Sequence, residues 1–196
     1  QYQDNLTNVR SVIDRLIALS DTYGIKLTFA TVGLLFAENM ADIKKYVPQS
    51  IPDYLDKNLN PYGLFNQIGA NEKSDPIHYA KSVIDRIKQN GNHEIGTHTF
   101  GHYNCLAPGQ NTNDFNADLI SARNIAKEMG IELKSIVFPK NQVNNDYLAV
   151  CKKNKVKLIH MSSTSVYGKQ AEIVDENCEK KYLKPQSPYA KIKLIE

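Results

Sequence analysis

The chain has 196 residues, 41% of them apolar and 23% charged, the balance of an ordinary globular domain with enough length for a real core. That excludes disorder as the default, and 24 basic against 21 acidic residues, a net charge of +3, leave no electrostatic footprint for nucleic acid. Three cysteines, Cys105, Cys151 and Cys178, without C-x-x-C spacing argue against a disulfide framework and a cysteine-built zinc site. No apolar run approaches the roughly 18 residues of a membrane span, and the N-terminus lacks the apolar stretch of a signal peptide. A soluble, cytoplasmic protein is the expectation.

In chain order, Val9, Val12, Ile13, Leu16, Ile17 and Leu19 recur at helical spacing, with Gly24 where the helix ends. Lys26 to Gly33, rich in β-branched and aromatic residues, predicts a strand, and short helical pieces between Leu34 and Val47 stop at Pro48. Gln49 to Ser74, rich in Asn, Pro and Gly, predicts a long irregular excursion of the kind that is usually functional. Asp75 and Pro76 are expected to open a second helix, with Ala80, Val83, Ile84 and Ile87 on one face and Gly91 at its end.

His93 to Thr97 then reads as a short strand, and a third helix carries Leu119, Ile120, Ala126 and Met129 inward, ending at Gly130. Ser135 to Phe138 predicts a strand, Asn145 to Lys153 a helix and Val156 to Met161 a further strand. Strands alternating with amphipathic helices argue for parallel α/β architecture. The strands are too few for a closed barrel, which takes about 250 residues.

Four of the five histidines are His78, His93, His98 and His102, the last two within HEIGTHTFGHYNC. Neutral imidazole is the commonest protein ligand for catalytic divalent metals, and two close in sequence can reach one ion from a short rigid element. The bland reading, two ordinary core or surface histidines, stands beside it. His98-Thr99-Phe100-Gly101-His102 matches the H-[ST]-x-x-H motif of the polysaccharide deacetylases of carbohydrate esterase family 4, which this part of the chain resembles. The resemblance extends through IKLTFATVGLLFAEN, IGANEKSDPIHYA, EIGTHTFGHYNCLAPGQ and SIVFPKNQVN, in family order.

The resemblance implies a distorted (β/α) barrel holding one divalent metal, zinc as the first choice, through His98, His102 and an aspartate. It implies an N-acetylated saccharide substrate, with metal-bound water attacking the acetyl group. Lys140, in FPKNQ, occupies the place of an arginine that orients the catalytic carboxylate, keeping the charge without the bidentate fork. The family's first strand, bearing an Asp-Asp pair, has no counterpart here; Asp4 lies outside any apolar strand, and His160 lacks the surroundings of the family's late histidine. The expectation is an incomplete barrel with little deacetylase activity on its own, self-associating or completed by a partner chain that covers its open strand edges.

From about Val156 the pattern changes. VKLIHMSSTSVYG followed by PQSPYAKIKLIE resembles the extended short-chain dehydrogenase/reductases, in particular NAD-dependent sugar-nucleotide epimerases and dehydratases. Ser163 matches that family's catalytic Ser/Thr, and Tyr189 with Lys193 its YxxxK pair. On a helix that spacing shares one face, so the Lys193 ammonium could lower the phenol pKa of Tyr189. None of the ten glycines makes a G-x-G-x-x-G or G-x-x-G-x-x-G turn, so tight NAD binding is not expected.

The resulting division is a deacetylase-like domain over 1–154 and an epimerase-like segment, a strand-loop-helix piece of Rossmann-type origin, over 155–196. The functional readings are a metal-dependent deacetylase-like protein of surface-polysaccharide metabolism, an epimerase fragment, and a carbohydrate-binding scaffold without chemistry.

Overall fold

The computed structural model describes residues 8–159, 178–187 and 191. By internal contacts the chain divides into two compact units, Gln1–Ile159 and His160–Glu196. The second shows, among its described residues, a 3-10 turn at Lys180–Tyr182 with the Lys181 ammonium over the Tyr182 ring.

The first unit is α/β. Its strands, β1 (Thr28–Thr31), β2 (Glu94–Thr97), β3 (Ser135–Ile136) and β4 (Lys157–Leu158), pair in chain order and all parallel. The register sets Thr31 against Thr97, Thr97 against Ile136 and Ser135 against Lys157. Between them run α1 (Val9–Thr22, ahead of β1), α2 (Met40–Tyr46) and α3 (Lys81–Asn90). α4 (Thr112–Glu128) and α5 (Asn145–Lys153) complete the α-helices among this unit's described residues. Sequential parallel strands with helical crossovers make a segment of a (β/α) barrel wall, and among the described residues the sheet does not close.

The helices follow their patterns with instructive exceptions. α4 starts at a capping box, in which the Asn111 side chain accepts from the Asn113 and Asp114 amides while Asp114 returns a bond to the Asn111 amide. Its inner stripe is Phe115, Asp118, Leu119, Ala122, Ile125 and Ala126, all buried, whereas Ile120, expected inward, is 41% exposed. α3 begins at Lys81 rather than Asp75. The Asp75 carboxylate accepts from the amides of Gly69, Ile77 and His78, and this local turn takes the donors a helix would have used.

On α1 only Ile17 and Ser20 are buried, and Val12 and Leu19 are more than half exposed. An apolar cavity of about 480 Å³ lies between α1, α3 and β1, lined by Val9, Ile13, Phe29, Leu35 and Ile84 among others.

Two apolar clusters fill the unit. One packs α1, α2, α3 and part of α4 on the sheet around Ile43, Ile84, Phe100 and Ile125. The other is aromatic: Phe115 stacks on Tyr147 at 4.5 Å and on Phe138 at 5.6 Å, with Tyr103 edge-on. The hydroxyls of Tyr103 and Tyr147 both donate to Gln110 Oε1. Cys105 and Cys151 lie in this cluster as free thiols, pushed up by burial to about 12 and about 11.

Candidate functional site

The carboxyl ends of β1, β2 and β3 converge where open α/β sheets commonly bind ligands. β2 runs into the loop Thr97–Tyr103, which carries both motif histidines, and Val137 leads from β3 into the turn at Pro139–Asn141. The His98 amide donates to Thr31 O at 2.9 Å and the Val137 amide to Thr97 O at 3.0 Å, so the loop is fastened to both neighbouring strands.

The two imidazoles meet edge to face with ring centres 5.0 Å apart. That spacing suits an ordinary aromatic pair, so the hydrogen bonding has to discriminate. His98 Nδ1 lies 2.7 Å from Val137 O. A carbonyl can only accept, so Nδ1 carries the proton and Nε2 keeps its lone pair, the arrangement by which a backbone carbonyl orients a metal-ligating histidine. The His98 ring therefore fits a nitrogen ligand for a borderline-soft divalent ion, with the His102 ring beside it as the second candidate. Among the described residues no group of three or more His, Cys, Asp or Glu side chains is placed to hold a metal.

Both rings have lowered pKa values: burial is the main cause, and for His102 the neighbouring His98 and Lys140 charges add to it. Neutral imidazole thus persists below the ordinary 6.5. These groups contribute stability that is present above pH 6.5 and lost as pH falls through the depressed values. A titration of the imidazole nitrogens by NMR should place both midpoints below that of free histidine, with His98 Nδ1 protonated throughout.

The loop and the turn at Pro139–Asn141 are strained. Thr99 (φ +67°), His102 (φ +56°), Lys140 (φ +57°) and Asn141 (φ +52°) all sit in the left-handed region without being glycine. Such backbone costs about 1–2 kcal/mol per residue and concentrates at functional sites. Local bonds hold it: the Thr99 amide donates to Thr97 Oγ1, and the Tyr103 amide to Thr99 Oγ1 at 2.7 Å.

Two elements clamp the loop from outside. Gly33 and Leu34 donate their amides to Thr99 O and Phe100 O. Asp118, on the inner stripe of α4, accepts the Phe100 amide at 2.6 Å and the Gly101 amide at 3.0 Å, with Tyr62 Oη at 3.4 Å. Complete burial raises the Asp118 carboxyl to about 6 against these hydrogen bonds, which favour the anion.

Of the residues singled out from sequence, His98, His102 and Lys140 come together here, Lys140 exposed and close enough for its charge to act on His102. Ser163, Tyr189 and Lys193 lie outside the described residues, as do Asp4 and His160. His78 is half exposed and pairs with Asp75, away from the site. The His93 ring is buried and accepts from the Leu27 amide through Nδ1. Sequence reasoning passed over Asp118 and Gly33. Asp118 carried a signal, an acidic residue three positions after Phe115 on an otherwise apolar helical stripe.

Comparison with known proteins gives two family matches. The polysaccharide deacetylase family matches residues 3–159, and the NAD dependent epimerase/dehydratase family matches residues 140–195, overlapping the first by twenty residues. No curated protein matches the chain. Among solved structures, a mutant of a carbohydrate esterase family 4 pseudoenzyme is 12% identical with a TM-score of 0.48, covering 76% of this chain and 39% of that one. The wild-type pseudoenzyme, from Bacillus anthracis, is 11% identical with a TM-score of 0.37, over 68% of this chain and 41% of its own. IcaB from Ammonifex degensii is 14% identical with a TM-score of 0.37, over 68% of this chain and 84% of its own. The chain thus spans about two fifths of the pseudoenzyme's length. With the deacetylase model matching most of its residues, histidine loop included, the chain belongs to the polysaccharide deacetylase family.

Proposed function

We propose that this chain is a metal-dependent, deacetylase-type carbohydrate domain in which His98 and His102 hold one divalent cation, zinc by the chemistry of the donors. The observation that carries the reading is the His98 Nδ1 to Val137 O bond, which commits one nitrogen and leaves the other as a ligand. Bound there, the ion would supply Lewis acidity toward the acetyl carbonyl and lower the pKa of a coordinated water. The chain's own residues supply the rest: the β2 loop fixes the ring directions, burial keeps the rings neutral, and the exposed Lys140 ammonium offers a positive charge beside the pair. The substrate class is an N-acetylated saccharide, and the setting surface-polysaccharide metabolism in the cytoplasm.

A second reading rests on the ligand count. Two imidazoles make a weaker zinc site than the usual three or four protein ligands, and no third acidic, histidine or cysteine ligand joins them among the described residues. A carbohydrate-binding scaffold that keeps the fold without the turnover fits that count.

The epimerase match supports a further element: residues 155–196 as a short-chain dehydrogenase-like segment, with Ser163, Tyr189 and Lys193 in its catalytic pattern; with no glycine-rich turn in the sequence, tight NAD binding by this chain is not expected. Among the described residues β1 is an edge strand and α1 keeps an exposed apolar face, which supports self-association or a covering partner chain.

Metal content separates the readings, and acetate release tests for a base within this chain. Metal analysis should find one equivalent of zinc, and acetate release from an N-acetylglucosamine oligomer by this chain alone should stay at background. Turnover in the ordinary enzymatic range, about 1 s⁻¹ or faster, would show that a base lies within this chain. Absence of zinc binding at any accessible concentration would reject the metal reading.

A further inference from the structure

We infer that Asp118 is a positioning residue that sets the zinc affinity of the His98–His102 pair by holding the peptide between them. The inference rests on the zinc reading above. Phe100 and Gly101 are two of the three residues separating the histidines, and their amides converge on the two oxygens of one carboxylate, 2.6 Å to Oδ1 and 3.0 Å to Oδ2.

Their carbonyl side is held independently: Thr99 O and Phe100 O accept from Gly33 and Leu34 at 2.8 and 3.0 Å. The peptide linking the ligands is therefore gripped on both of its polar edges. Both edges matter for geometry, because the flanking residues Thr99 and His102 have left-handed backbone that would relax if released.

Asp118 cannot be exchanged for a neutral isostere without loss. Two N–H donors require two acceptor atoms, and an ionised carboxylate offers both oxygens; a carboxamide offers one and points its NH2 at the other donor. Nor is Asp118 itself a metal ligand: it does not belong to any three-membered group of ligand side chains among the described residues, and its oxygens face backbone amides. Its 1% exposure leaves no route for water to replace the lost bond.

The test is a zinc titration of wild type, D118N and H98A, with L119A as a stability control on the same helix. Leu119 is fully buried but makes no bond to the loop among those described. D118N should bind zinc about 10–100-fold more weakly than wild type, the usual cost of losing an outer-shell partner. L119A, though destabilised, should bind within about twofold.

Wild-type binding that H98A abolishes and D118N leaves unchanged would overturn the inference and leave the zinc site standing. An equal loss in L119A would also overturn it, by assigning the effect to general loosening. No binding in wild type would reject both the site and the inference. Should D118N fail to fold, hydrogen exchange on wild type decides: by linkage, zinc should slow exchange of the Phe100 and Gly101 amides more than of amides within α5. Equal effects would overturn the positioning role.

Discussion

Replacing His98 with alanine is expected to weaken zinc binding by more than about a hundredfold. Loss of an outer-shell partner alone costs about 10–100-fold, and this substitution removes a ligand, leaving one imidazole. It also removes the Nδ1 bond to Val137 O, which ties the loop to the start of the β3 turn. The effects of the two histidines on folding should differ. His102 sits at φ +56°, where glycine is at ease. His102→Gly should therefore lose zinc while gaining about 1 kcal/mol of stability from relieved backbone strain, less the entropy glycine adds to the unfolded chain. Isothermal titration with zinc and thermal melts of the metal-free variants check both. A His102→Gly variant that binds zinc like wild type would show that the pair is not the site.

The second large effect falls on a residue with no side chain. A Cβ placed on Gly33 would lie 2.6 Å from Phe100 Cδ2 and 2.8 Å from Phe100 Cα. The ring could turn aside, but the Cα belongs to the backbone that Asp118 and the Gly33–Leu34 amides hold. Gly33→Ala must push the histidine loop away from β1 or break the Gly33 N–H to Thr99 O bond. Overpacking of this kind costs about 3 kcal/mol, a fall of roughly 6–12 °C in melting temperature for a chain of this size. Zinc affinity should fall with it, because the same backbone carries both histidines proposed as ligands. Gly63 supplies the control, since an added Cβ there meets nothing within 4 Å. Gly63→Ala should melt within about 0.5 kcal/mol of wild type. A Gly33→Ala protein with unaltered melting and zinc binding would show that the close approach carries no weight.

How far the sequence could be read depended on whether the deciding interaction was local. α5 was legible to its ends, Asn145–Lys153, because its cap Asn144 and its apolar spacing act over one or two turns. The alternation of strand and helix, and with it the parallel sheet, was legible for the same reason. Strand lengths were not: the apolar run from Lys26 to Gly33 yields only Thr28–Thr31, since pairing with β2 ends where the chain turns at Gly33. Nor could the pattern on α1 reveal which apolar residues find a neighbour, because burial depends on what packs there. At the site, the H-[ST]-x-x-H motif marked the two histidines that the fold brings together, but the clamp on their loop was hidden. Asp118 lies sixteen residues beyond His102 and Gly33 sixty-five before His98, and only the fold brings their bonds to one loop.

Burial of two of the cysteines has a practical consequence. At neutral pH almost none of the thiol at Cys105 or Cys151 is ionised, and alkylating reagents attack the thiolate. Both should stay silent while the aromatic cluster around them is intact and react when it opens. With alkylation faster than reclosing, following modification at Cys105 and Cys151 against time would thus read the opening rate of the second core, with no engineered label.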